Sequence, residues 1–236
     1  MEENVDYVLY TPSLDSNWSF HISGKAKKIS DEYIEILDIV KKIFIINEDF
    51  FIPTKIRYTV AVFNNDGPVN STIIHPRTIK PSAVFARDIK SENGFSFNDF
   101  YNDVFSIQVP ENSVKYIWMI EMEGKVKFFF KGHDLFIDEN SPTYLYRHPR
   151  LDGPCGNPMT IRVKHSGLKV GNRYIDITDH AFYNIVYWAE TDIWYENTEY
   201  GIKNKERLLN VFNKIKENYK VIDTYCDGSA SALFDE

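Results

Sequence analysis

The stretch from Val114 to Lys131 constrains this chain more than any other. Two runs rich in β-branched and aromatic residues, 114–122 and 125–131, meet at Glu123-Gly124, and this pattern predicts a β-hairpin turning at that dipeptide. Phe128, Phe129 and Phe130 follow one another without polar interruption, which suits a strand covered on both faces. Such a hairpin needs a wider sheet and a layer to cover it.

The rest of the chain supplies both. Short β-like runs fall at 5–10, 18–22 and 55–63, the last stopped by the turn cluster Asn64-Asn65-Asp66-Gly67-Pro68. Further strands are expected at 159–165 and 168–177, joined at Ser166-Gly167, with Gly171-Asn172 marking a bulge or second turn. The run 181–190 is apolar on both sides and reads as a central strand, and the tail from Thr224 reads as a last strand or a loose end. Between them, 31–44 carries Ile36, Leu37, Val40, Ile43 and Phe44 on one helical stripe, with Ser30 as the expected N-cap. A short helix is expected at 95–105 behind Ser96, with Phe100 and Val104 inward. Asn204 is expected to cap a helix to about 219, with Leu208, Phe212, Ile215 and Tyr219 as its buried stripe. The reading is α+β: a mainly antiparallel sheet flanked by two or three helices, in one domain over 1–236 with a seam in the Pro-rich connection 140–158.

Composition narrows the classes of function. With 43% hydrophobic residues the chain has enough apolar side chains for a packed core, so disorder is excluded for most of it. The net charge of −7 repels phosphate backbones and anionic lipid, which argues against nucleic-acid and membrane-surface binding. The acidic start at Met1-Glu2-Glu3 is no secretory signal, and no apolar run approaches the roughly 20 residues of a membrane-spanning helix. Cys155 and Cys226 lie far apart without metal or redox spacing. A cytoplasmic protein without a cofactor or metal is expected.

Motifs that would name a reaction are absent: there is no P-loop, no dinucleotide fingerprint, no nucleophile elbow and no zincin helix. His133-Asp134 and Asp179-His180 each set a carboxylate beside an imidazole, an arrangement that orients a base or completes a metal site, although surface or loop histidine is the better reading. In the loop 148–158, His148 and Asp152 flank Cys155, the ingredients of an activated thiol, while Pro and Gly at that density ordinarily fix a rigid turn. These groups sustain an alternative reading as a hydrolase or metal-dependent enzyme.

The sharper feature is 187–200, with five aromatic residues, four carboxylates and no basic residue. Two tryptophans in the core beside an acidic loop is the plain interpretation. Carboxylates beside amphipathic rings are also how a surface captures a basic partner, since charge steers the encounter and Trp or Tyr anchors it. Glu190, Asp192, Glu196 and Glu199 would face cations, and Trp194 or Tyr195 would insert. Glu190 with Asp192 could instead form an acid–base pair or bind a hard cation.

A strand ending in Thr191-Asp192-Ile193-Trp194, followed by Asn204, Leu208, Leu209 and Ile215 on a helix, resembles the C-terminal part of small bacterial proteins, some of them toxin-neutralising immunity proteins. The resemblance implies a non-enzymatic protein-binding module that occludes a cognate, basic toxin. A structural component of a larger assembly is the third reading, and the sequence carries no signal of oligomeric state.

Overall fold

In the computed structural model of the protein, the described residues are 8–10, 16–67, 81–141, 144–146, 157–165, 168–170, 173–175, 181–189, 191, 194 and 199–228. An antiparallel sheet of eight strands carries the fold. Its members are β2 (Ser16–Ser23), β3 (Phe51–Phe63), β4 (Ala83–Lys90), β5 (Val114–Phe130), β6 (His133–Ile137), β8 (Met159–His165), β11 (Phe182–Ala189) and β12 (Val221–Gly228). They run in the order β12-β2-β11-β8-β5-β3-β4, with β6 paired to the far end of β5. Two small ladders stand apart: β1 (Val8–Tyr10) with β7 (Tyr144–Tyr146), parallel, and β9 (Leu168–Val170) with β10 (Arg173–Ile175), antiparallel. Gly171 and Asn172, the expected bulge or second turn, lie outside the described residues. With three helices among the described residues beside this sheet, the α+β architecture is as expected.

The expected hairpin at Glu123-Gly124 is corrected. β5 runs straight through the dipeptide as one strand of 17 residues, and the reversal comes later, where Phe130 pairs with His133 across Lys131-Gly132. Both turn residues have positive φ, which suits Gly132 and strains Lys131. Gly124 has a different purpose. It faces the bulge between Pro53 and Lys55 of β3, and a Cβ there would lie 2.0 Å from the Ile52 carbonyl oxygen. Glycine lets the two backbones touch.

Among the described residues the helices are α1 (Ile29–Asn47), α2 (Phe97–Ser106) and α3 (Glu199–Asn218). α1 presents Ile36, Val40 and Ile43 to the sheet, as its stripe predicted. Its expected cap is corrected: Lys28 is the N-cap residue and gives no side-chain bond, while Ser30 lies inside the first turn. There the Ser30 N–H and hydroxyl both donate to the Asp66 carboxylate, at 3.0 and 2.7 Å, so the loop after β3 closes the helix start. α2 has the expected Ser96, which forms a capping box with Asp99 and turns Phe100 and Val104 into the core.

α3 begins five residues before Asn204, so that residue is no cap. Fully buried, its carboxamide accepts from the Phe129 N–H at 2.7 Å and donates to the Phe129 carbonyl at 3.0 Å. It satisfies that backbone as a neighbouring strand would. Further along, the Phe212 ring meets Trp18, Phe20 and Tyr187 at 5.5, 5.1 and 5.3 Å between centroids. The helices therefore cover one face of the sheet, and aromatic rings fill the joint.

Candidate functional site

On the uncovered face, side chains alternate with the core residues Ile56, Met122 and Ile161. Register places Lys55 opposite Glu123, and Arg57 opposite Glu121, which in turn faces Arg162. The result is a charge ladder across β3, β5 and β8. Arg57 reaches Glu121 at 2.5 Å and also pairs with Glu123. Arg162 donates to Glu121 through Nε at 2.7 Å and through its terminal nitrogen. Lys55 and the Asn157 amide add contacts to Glu123 at 3.4 and 2.7 Å. Both carboxylates are buried, yet each is held by several donors, which removes the penalty of leaving them unpaired. The Arg162 guanidinium also lies 5.9 Å from the Trp188 ring. This array is not named by any motif. Its signal in the sequence is charge at i, i+2 on three strands: Lys55 and Arg57, Glu121 and Glu123, Arg162 and Lys164.

Charge is unbalanced on this face. Across β4, β3, β5 and β8 it carries seven basic side chains (Lys90, Lys55, Arg57, Lys125, Lys127, Arg162, Lys164) against Asp88, Glu121 and Glu123. The acidic protein thus bears a basic stripe. The stripe ends at a cleft of about 580 Å³ between β3, β4 and the start of the 138–140 turn.

The acidic aromatic segment starts at the same end of the sheet, because Trp188 lies in the row that runs through Thr160 and Glu123 to Lys55. After Trp188 the chain is pinned twice. Thr191 is fully buried, and Trp194 is 1% exposed, packed 5.0 Å from Phe128 and 6.0 Å from Phe50. Trp194 is therefore a core residue, which corrects its assignment as an inserting anchor: two large rings, Phe50 and Phe128, already pack against it. Glu199 is 80% exposed at the start of α3, beside Lys203 at 3.1 Å. Glu190, Asp192, Tyr195 and Glu196 lie outside the described residues, as do His148, Asp152, Cys155, Asp179 and His180. Asp134 does not orient His133 as a base partner; it pairs with Arg207 at 2.6 Å and Lys127 at 3.6 Å, and the Arg207 hydrogen bond holds its carboxyl below the ordinary range.

A second polar cluster lies on the helix face. His165 Nε2 of β8 sits 2.5 Å from Glu32 Oε1 of α1, with both side chains almost sealed. Neither ring nitrogen of His165 nor Glu32 Oε1 makes an aligned hydrogen bond among the described residues. Nearby, Glu35 accepts from the backbone N–H groups of Lys25 and Ala26 at 2.7 and 2.9 Å and from the Tyr183 hydroxyl at 3.0 Å. Burial, reinforced by Glu32, pushes the Tyr116 and Tyr183 hydroxyls far above their usual range. These tyrosines stay protonated donors, and the cluster fastens α1 to the sheet. Among the described residues no group of three or more His, Cys, Asp or Glu side chains is placed to hold a metal ion, and no helix is long and apolar enough to cross a membrane. Comparison with known proteins finds no family, no curated protein and no solved structure that matches the chain.

Proposed function

We propose that the protein is a non-enzymatic binding module that captures a basic protein partner, in the manner of an immunity protein occluding a toxin. The acidic segment 187–200 is the contact surface. The observation that carries this reading is the way the segment is anchored: Thr191 and Trp194 are buried while Glu199 is open to water. Thr191 and Trp194 hold the chain at two points within the segment, so those points need no ordering when a partner binds. Glu190, Asp192, Glu196 and Glu199 supply steering charge and Tyr195 the anchor; Trp194 holds the base on which they stand.

The test has two steps. A protein co-purified at fixed stoichiometry from the native host is identified and reconstituted with the pure chain. Association is then followed by surface plasmon resonance for the parent and for Glu190→Lys/Asp192→Lys/Glu196→Lys/Glu199→Lys. At low salt the association rate should fall by about tenfold or more, with most of the difference lost at high salt. Unchanged association at low salt would remove this surface assignment.

A further inference from the structure

The cleft at the end of the basic stripe has an uncommon lining. Lys55 and Lys90 are direct cross-strand neighbours, and Lys125 faces the same space from β5. Like charges placed opposite one another are unfavourable unless something stands between them. Lys55 has a partner in Glu123 at 3.4 Å, but the Lys125 ammonium donates only to the Glu92 carbonyl at 3.3 Å, and Lys90 makes no ion pair among the described residues. Two ammonium groups thus face the cleft without an ion-pair partner among the described residues, and its carboxylates lie on the facing segments Glu92 and 138–139.

The remaining lining is polar throughout. Thr54 and Ser91 bring hydroxyls and Asn140 an amide, while Glu92 and Glu139 bring exposed carboxylates that make no ion pair among the described residues. Asp138 is occupied by its own turn, accepting from the Asn140 N–H at 3.0 Å and the Ser141 hydroxyl at 2.9 Å. Among the described residues no aromatic or aliphatic side chain lines the space. Ammonium groups suit a phosphate, and free carboxylates with hydroxyls and an amide suit a row of sugar hydroxyls. At about 580 Å³ the cleft has the volume of a small-metabolite site.

We infer that this cleft is a binding site for a small phosphorylated polyol, with Lys90 and Lys125 on the phosphate and Glu92 and Glu139 on the hydroxyls. The site is separate from the acidic segment and does not rest on its role.

The experiment is a titration of ribose 5-phosphate into the full chain, followed by calorimetry and by amide chemical shifts. Expected are saturable binding, shifts centred on Ser91, Lys125 and Asn140, and a loss of roughly tenfold or more in affinity for Lys90→Ala/Lys125→Ala. Both substitutions lie on the surface, and circular dichroism checks that the variant keeps its fold. Glu92→Gln/Glu139→Gln should weaken ribose 5-phosphate while leaving inorganic phosphate unaffected. The inference is overturned by any of three results: no saturation up to about 10 mM, unchanged affinity in the double lysine variant, or inorganic phosphate binding as tightly as ribose 5-phosphate.

Discussion

On the open face of the sheet, Arg57 and Arg162 reach Glu121 with 43% and 28% of their side chains still in water, whereas on the helix face His165 and Glu32 meet with 6% and 3% exposed. Each site sets a buried glutamate against a basic side chain of β8, Arg162 on the open face and His165 on the helix face. They differ in who solvates the charge. Outside, water shares the load, and several donors surround each carboxylate, so losing one partner leaves others. Inside, a single contact stands between Glu32 and an apolar core, with no spare donor. Redundancy makes the outer array tolerant, and its absence makes the inner pair a point of failure.

The largest effect should come from breaking the inner pair. His165→Leu leaves the Glu32 carboxylate sealed without its partner and should cost about 3–5 kcal/mol in urea denaturation. Adding Glu32→Leu should recover most of that loss, because two apolar side chains can fill the space once both polar groups are gone. A single variant within about 1 kcal/mol of the parent would mean that the pair carries no weight.

On the outer face, Arg162→Met should cost only about 1 kcal/mol, since Arg57 still holds Glu121 and the lost guanidinium was partly in water. A cost as large as that of His165→Leu would erase the contrast between the faces.

The smallest effect concerns pH. His21 on the outer side of β2 has its pKa lowered from 6.5, mainly by burial, with Asp223 opposing and Lys164 assisting. The unfolded chain therefore takes up the proton first, so His21 favours the fold above about pH 6.5 and its contribution fades as pH falls through that value. In His21→Gln, the drop in Tm between about pH 7.5 and pH 5.5 should shrink but not vanish.

Local chemistry was legible wherever one residue and its near neighbours decide the structure. Ser96 and Asp99 form a capping box within one turn, and α2 begins where they say. Glu123-Gly124 misleads because the demand for glycine comes from β3, about 70 residues away, whose bulge brings the Ile52 carbonyl against β5. Gly124→Ala should accordingly destabilise by about 1–3 kcal/mol in urea denaturation, where a turn glycine with negative φ would tolerate alanine. Asn204 reads as a cap because Asn is a cap former, while its true partner, Phe129, is invisible from the helix alone. β4 escapes notice for a related reason: as an edge strand with Ala86, Arg87 and Asp88 exposed, it lacks the apolar density that marks a buried one. The acidic segment was legible as composition, but which of its tryptophans the core would claim depended on Phe50 and Phe128.

The strand order also dictates when this protein can fold. β2, near the beginning of the chain, lies between β11 and β12, near its end. Both edges of β2 must wait for partners made some 160 to 210 residues later, so until then an emerging chain holds Trp18 and Phe20 without their lasting neighbours. Non-local pairing of this kind gives slow, late closure. A protein cut short before β11 would retain the β3–β5 pairing and lose the half of the sheet that β2 organises.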